Sequence, residues 1–207
     1  MDAALALDKM KKWMLIVASL NTTVLFSQNF NGGLIAGIST SQVSGDNLGG
    51  YNKAGIFIGG FTEYPITKTS NIKVEINYIQ KGSNNPKMIE NNISDISTSY
   101  IEVPLGINYY QNELMIFETG LQSAILIGST DNDIYGKVSS DINRPFNKID
   151  FSAFIGISYH LNKNIQLNTR FSNSILPIRD HLSGATYLLN KGQYNTVLTF
   201  TIHYYLS

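Results

Sequence analysis

The sequence predicts an all-β fold: an eight-stranded antiparallel up-and-down transmembrane β-barrel preceded by a helical signal peptide. Three observations predict it. The N-terminus is basic and then apolar, the rest of the chain alternates in character with a period of two, and its connections alternate between short and long.

Lys9, Met10, Lys11 and Lys12 precede an apolar stretch from Trp13 to Leu20, which resumes after Asn21, Thr22 and Thr23 as Val24, Leu25 and Phe26. A membrane helix needs about 20 mainly apolar residues, and this run is shorter and interrupted. Residues 1–28 are therefore expected to be a cleaved signal peptide, with Ser27 the small residue near the cut and 29–207 the barrel domain. Met10 is an alternative start, because Met-Lys-Lys opens a more conventional signal.

Composition points the same way. Charged residues make up only 14% of the chain and balance at 15 basic and 15 acidic, which argues against nucleic acid as a partner. Gly (17), Tyr (12) and Phe (10) are plentiful, a mixture of turn and strand formers. With no cysteine, disulfides, thiolate metal sites, cysteine nucleophiles and a lipidated N-terminal cysteine are excluded. No cofactor is implied.

Eight alternating runs follow, at 33–40, 53–64, 71–81, 98–110, 113–128, 148–160, 165–176 and 193–206. In the third, Ile72, Val74, Ile76 and Tyr78 share one face and Lys73, Glu75 and Asn77 the other. In the fourth, Ile101, Val103, Leu105, Ile107 and Tyr109 oppose Tyr100, Glu102, Pro104, Gly106 and Asn108; in the eighth, Leu198, Phe200, Ile202 and Tyr204 oppose Val197, Thr199, Thr201 and His203. Short turns are expected around Thr67–Asn71, Gln111–Asn112 and Asn162–Asn164, and the other connections are loops of roughly 12 to 19 residues. Lipid leaves no backbone group unpaired, so such a sheet must close. An even strand count puts both mature termini on the short-turn side, which would be periplasmic. Phe61, Tyr64, Tyr109, Tyr110, Phe117, Tyr159, Tyr204 and Tyr205 are candidates for two interfacial aromatic girdles. A secreted lipocalin-like barrel would show the same alternation with the apolar face inward. The Gly and Ser of the polar faces, and long loops confined to one side, favour lipid outside.

Several strings resemble the PorT-like outer-membrane β-barrel family: Gly60-Phe61-Thr62-Glu63-Tyr64-Pro65, Val74-Glu75-Ile76-Asn77-Tyr78-Ile79-Gln80-Lys81-Gly82, Tyr100-Ile101-Glu102-Val103-Pro104-Leu105 and Glu118-Thr119-Gly120. Gly33-Leu34-Ile35-Ala36-Gly37 fits its opening strand. The resemblance implies export by the general secretion pathway and insertion by the outer-membrane assembly machinery, and the member that names the family is needed for a type IX protein secretion system. Partners would be outer-membrane lipid, that machinery and secretion-system subunits.

An eight-stranded barrel is wide enough only to be filled by side chains. By parity Glu75, Glu102 and Glu118 point inward, with Glu63 a fourth member; Lys73 and Arg170 are candidate cationic partners, and Lys81 lies nearer the rim. The leading reading is a structural ion-pair network in which Arg170 bridges two carboxylates; the other is a proton or cation relay. His181 with Arg179, Asp180 and Ser183 superficially suggests loop catalysis, as does the Ser158-x-His160 spacing, yet loops carry such residues by default. Asp131-Asn132-Asp133 with Gly136 fails as an EF-hand, because position twelve is Ile142, and reads as a solvated loop. Gly32, Gly33 and Gly37 open a strand and not a phosphate-binding helix. A non-enzymatic structural or accessory barrel is thus the expectation, ahead of a narrow porin-like channel and a lipid-modifying enzyme. Met88, Ile89, Tyr135, Tyr187 and Leu188 are the loop residues expected to meet a partner.

Overall fold

The computed structural model describes residues 30–45, 50–84, 95–133, 136–138, 144–180 and 192–206. The expected signal peptide, His181, Ser183 and the loop residues Met88, Ile89, Tyr135, Ile142, Tyr187 and Leu188 lie outside the described residues. The strands are β1 (Asn31–Ser44), β2 (Lys53–Pro65), β3 (Ser70–Asn84), β4 (Asp95–Tyr110), β5 (Met115–Asp133), the two-residue β6 (Gly136–Lys137), β7 (Ile149–His160), β8 (Ile165–Ser174) and β9 (Tyr194–Leu206). All pairings are antiparallel, and β1 pairs with both β2 and β9 while β4 pairs with β5. The eight long strands therefore form a closed barrel, and β6 only extends the end of β5 through Asn132↔Lys137.

Side-chain polarity is inverted relative to a water-soluble protein. Ile76 is 64% exposed and Ile155 62%, whereas Glu75 and Glu102 are each 2% exposed. Burying charges while exposing isoleucines is stable only if the surroundings are apolar, so the alternation is that of a barrel in lipid and not of a lipocalin. On β5 the outward apolar positions run from Phe117 to Ile127. At ~3.3 Å per residue and a tilt of ~40°, that stretch rises about 25 Å, the height of the apolar band of such barrels.

The three short connections share one design. In two of them an Asn side chain caps the turn: Asn112 Oδ1 accepts from the backbone N–H groups of Leu114 and Met115, and Asn162 Oδ1 from those of Asn164 and Ile165. Thr67 Oγ1 does the same for Thr69 N–H in the β2–β3 turn. Asx and Ser/Thr turns of this kind hold the backbone reversal without help from the rest of the fold.

Two expectations need correcting. Phe61 is buried inside, Tyr110 Oη accepts from the interior Asn71 and Tyr205 Oη reaches Gln166, so these three rings do not belong to a girdle. The outward five, Tyr64, Tyr109, Phe117, Tyr159 and Tyr204, all sit at the short-turn end and form one belt there. Parity separates the two sets: neighbours in sequence such as Tyr204 and Tyr205 face opposite sides. Four strands extend further at the long-loop end than the pattern implies, β1 to Ser44, β3 to Asn84, β4 from Asp95 and β5 to Asp133, whereas β8 stops short of its expected end, at Ser174.

Candidate functional site in the barrel interior

Every β-strand sends alternate residues inward, and the lumen is filled by layers of polar side chains around an apolar wedge of Ile35, Phe57, Phe61, Ile79, Tyr100, Ala124 and Val197. Among the described residues six carboxylates and four Lys or Arg cations are buried. Cations are outnumbered, so each of several is shared between two acids.

Arg170 makes the central contact. It stands on β8, and in the closed strand order β3 lies directly opposite. Its Nη1 and Nη2 donate to Glu75 Oε2 and Oε1 at 2.9 and 2.7 Å, while its Nε and Nη2 donate to Glu118 Oε1 and Oε2 at 2.7 and 3.1 Å. Two carboxylates are thus each held by a fork of the same planar cation, which lies 4.4 Å above the Phe154 ring. Glycines make the space. A Cβ on Gly156 would come within 2.4 Å of Glu118 Oε1, and one on Gly120 within 2.7 Å of Phe154.

Toward the short turns, Lys73 Nζ lies 3.3 Å from Glu75, 3.8 Å from Glu63 and 2.9 Å from His203 Nδ1. An ammonium cannot accept, so Nδ1 is the acceptor and the imidazole proton sits on Nε2, 3.0 Å from Thr201 Oγ1. Glu63 also accepts from Asn71 at 2.8 Å and Asn108 at 3.2 Å. Ser158, buried, accepts from Asn168, while His160 packs against the Tyr205 ring; their spacing does not create a nucleophile and base.

Toward the long loops, Lys81 pairs with Glu102 and lies 3.5 Å from Asp150 Oδ2. Glu102 accepts from Gln122, and Asp150 from Ser152 and Asn195. Lys81, expected nearer the rim, is 1% exposed, because a further layer closes over it. That layer is Arg179, which donates to Asp131 Oδ2 at 2.5 Å and to Gln193 Oε1 at 2.9 Å and stacks 4.1 Å from the Phe146 ring. Asp131 is therefore not part of a solvated loop: it lies within β5, two residues before that strand's end, and faces inward. Asp180, in the same segment, meets the exposed Arg144 at 3.4 Å.

Glu63, Lys73, Glu75, Glu118 and Arg170 thus form one connected cluster, and Glu102 belongs to a second cluster with Lys81. Asp150, Asp131, Arg179 and His203 complete the interior. Asp150 carried a usable signal, since it has the inward parity of Ser152 and Phe154; Arg179 carried none, because it stands outside any strand.

A model of the outer membrane protein beta-barrel domain matches residues 26–179. No curated protein matches the sequence. Among solved structures, Ail, the attachment invasion locus protein of Yersinia pestis, in complex with the heparin analogue sucrose octasulfate, is similar with a TM-score of 0.51 and 13% identity, covering 86% of this chain and 100% of that one. Neisserial surface protein A (NspA) gives a TM-score of 0.52 at 12% identity, over 86% of this chain and 97% of that one. At such identities the likeness is one of fold. The family match spans most of the barrel and agrees with the inverted polarity of its wall, and the chain belongs to the outer membrane protein beta-barrel domain family.

Proposed function

We propose that this protein is a non-enzymatic structural or accessory component of the bacterial outer membrane, of the PorT-like kind, serving a type IX protein secretion machine through its long-loop face. The observation that carries the reading is the Arg170 clamp: a guanidinium joined to Glu75 and Glu118 across the lumen fills the space a solute would need. With the interior committed to packing, the rims are left to meet partners. The strings around Glu63, Glu75, Glu102 and Glu118 that resemble the PorT-like family support the secretion role. In this reading residues 1–28 are removed on export, both mature termini are periplasmic and the long loops face outward, where they meet secretion-system subunits.

Deleting the protein and profiling the secreted proteins tests it. Secreted substrates should accumulate inside the cell, and the purified barrel should give no discrete currents in planar bilayers. Normal export would sink the secretion role. Stepwise currents would favour the narrow channel, and altered lipid A on mass spectrometry the lipid-modifying enzyme.

A further inference from the structure

The interior is closed a second time at its long-loop end, by a segment that belongs to no strand. Residues 177–180 turn back over the mouth after β8. Ile178 and Arg179 are each 0% exposed, although they belong to a connection between strands. Among the described residues the backbone of this strap is tied to other connections: Asn147 N–H and Nδ2 donate to the carbonyls of Ile178 (2.7 Å) and Pro177 (2.8 Å), and Ile178 and Arg179 bridge to Gln193. Gly192 permits that bridge, since a Cβ there would lie 2.2 Å from the Arg179 carbonyl oxygen. Two side chains of the strap reach across to the barrel wall. Ile178 packs with Val43 of β1 and Ile96 of β4, and Arg179 reaches Asp131 of β5.

We propose that this strap is a releasable latch, fastened to the β5 wall by the Arg179–Asp131 pair, and that unfastening it exposes the buried polar layer of Lys81, Glu102 and Asp150 above Arg170 to solvent. Three observations support release. Among the described residues the strap shares no ladder with the long strands, so it can lift without breaking the barrel. Arg179 Nη2 is buried without an acceptor, so the closed position leaves a donor unsatisfied. Beneath the strap Ser83 Oγ and Asn195 Oδ1 are also buried without partners, and both gain hydrogen bonds to water when the mouth opens. Burial of Ile178 and the ion pair opposes these gains and holds the latch shut.

The absence of cysteine makes the latch directly measurable. Ser83 is fully buried beside Ile96, its register partner, so Ser83→Cys places one thiol under the strap. In the purified full-length barrel in detergent, a hydrophilic maleimide should modify Ser83→Cys at least roughly tenfold more slowly than an exposed reference thiol at Lys137→Cys. Adding Arg179→Gln or Asp131→Asn should remove most of that difference, while the heat-dependent gel shift shows that the barrel remains folded. Arg179→Lys should give an intermediate rate, because it keeps the charge but not the fork. The proposal is overturned if the thiol reacts as fast as the reference with the latch intact. It is also overturned if the thiol stays protected in whichever of the two latch variants folds. Should neither fold, Ile178→Ser loosens the apolar half of the same strap and must speed labelling for the proposal to stand.

Discussion

Arg170 holds two acids from two other strands, so its removal does more than delete one pair. Arg170→Ala leaves Glu75 and Glu118 buried without their forked donor, and breaking a buried pair in this way costs about 3–5 kcal/mol. Thermal unfolding in detergent should show a markedly lower midpoint, and an unchanged midpoint would remove the clamp from the stability of the barrel. Gly156→Val probes the same spot from the backbone: its Cβ would meet Glu118 Oε1 at 2.4 Å, and the displaced carboxylate should lower the midpoint although no charge is altered. Parity along β3, β4 and β5 was enough to read Glu75, Glu102 and Glu118 as inward from the amino-acid sequence. Which cation each would meet was not readable, because that depends on stagger around the closed barrel. Arg179 and Asp131 were misread for a different reason: polar residues near a long loop look solvated unless the loop is known to fold inward.

At the level of elements, the short turns carry their own instructions. Asn112 and Asn162 each satisfy two backbone N–H groups, and replacing either by Ala should cost about 1 kcal/mol, read as a shifted urea midpoint with an unchanged slope. A shift no larger than that of an Ala substitution at the exposed Lys163 would show that the Asn caps do not hold the turns. Because such capping is local, the turns were legible in the sequence. Strand ends at the other side were less so. Gln80, Ser97, Ser99 and Thr130 occupy outward positions above the apolar band, where polar residues stand on both faces and the period of two no longer shows. The pairing continues regardless, as Ser97↔Thr130 and Asp95↔Asn132 show, because backbone hydrogen bonds do not require an apolar face.

For the whole molecule, the inverted polarity makes the cost of a charge depend on depth. Leu121→Arg stands near the middle of the outward band on β5 and should cost about 2–4 kcal/mol in lipid vesicles, whereas Ile127→Arg at the band's edge should cost about 0–1 kcal/mol. Equal and small effects on folding in vesicles would mean that this wall does not face acyl chains. The eight-strand closure itself was readable from alternation and loop asymmetry together; the strap across its mouth was not, since it follows no period. The Arg170 clamp also bears on how the barrel is assembled. Glu75, Glu118 and Arg170 arrive on β3, β5 and β8, separated by 95 and 52 residues, so no single hairpin brings a carboxylate and its guanidinium into the bilayer together. A sheet still lacking β8 would carry Glu118 into hydrocarbon without its cation and Glu75 with Lys73 alone, and a sheet joined out of register would do the same. Lipid thereby inspects the chain as it inserts, admitting the complete, correctly aligned molecule and turning back its unfinished forms.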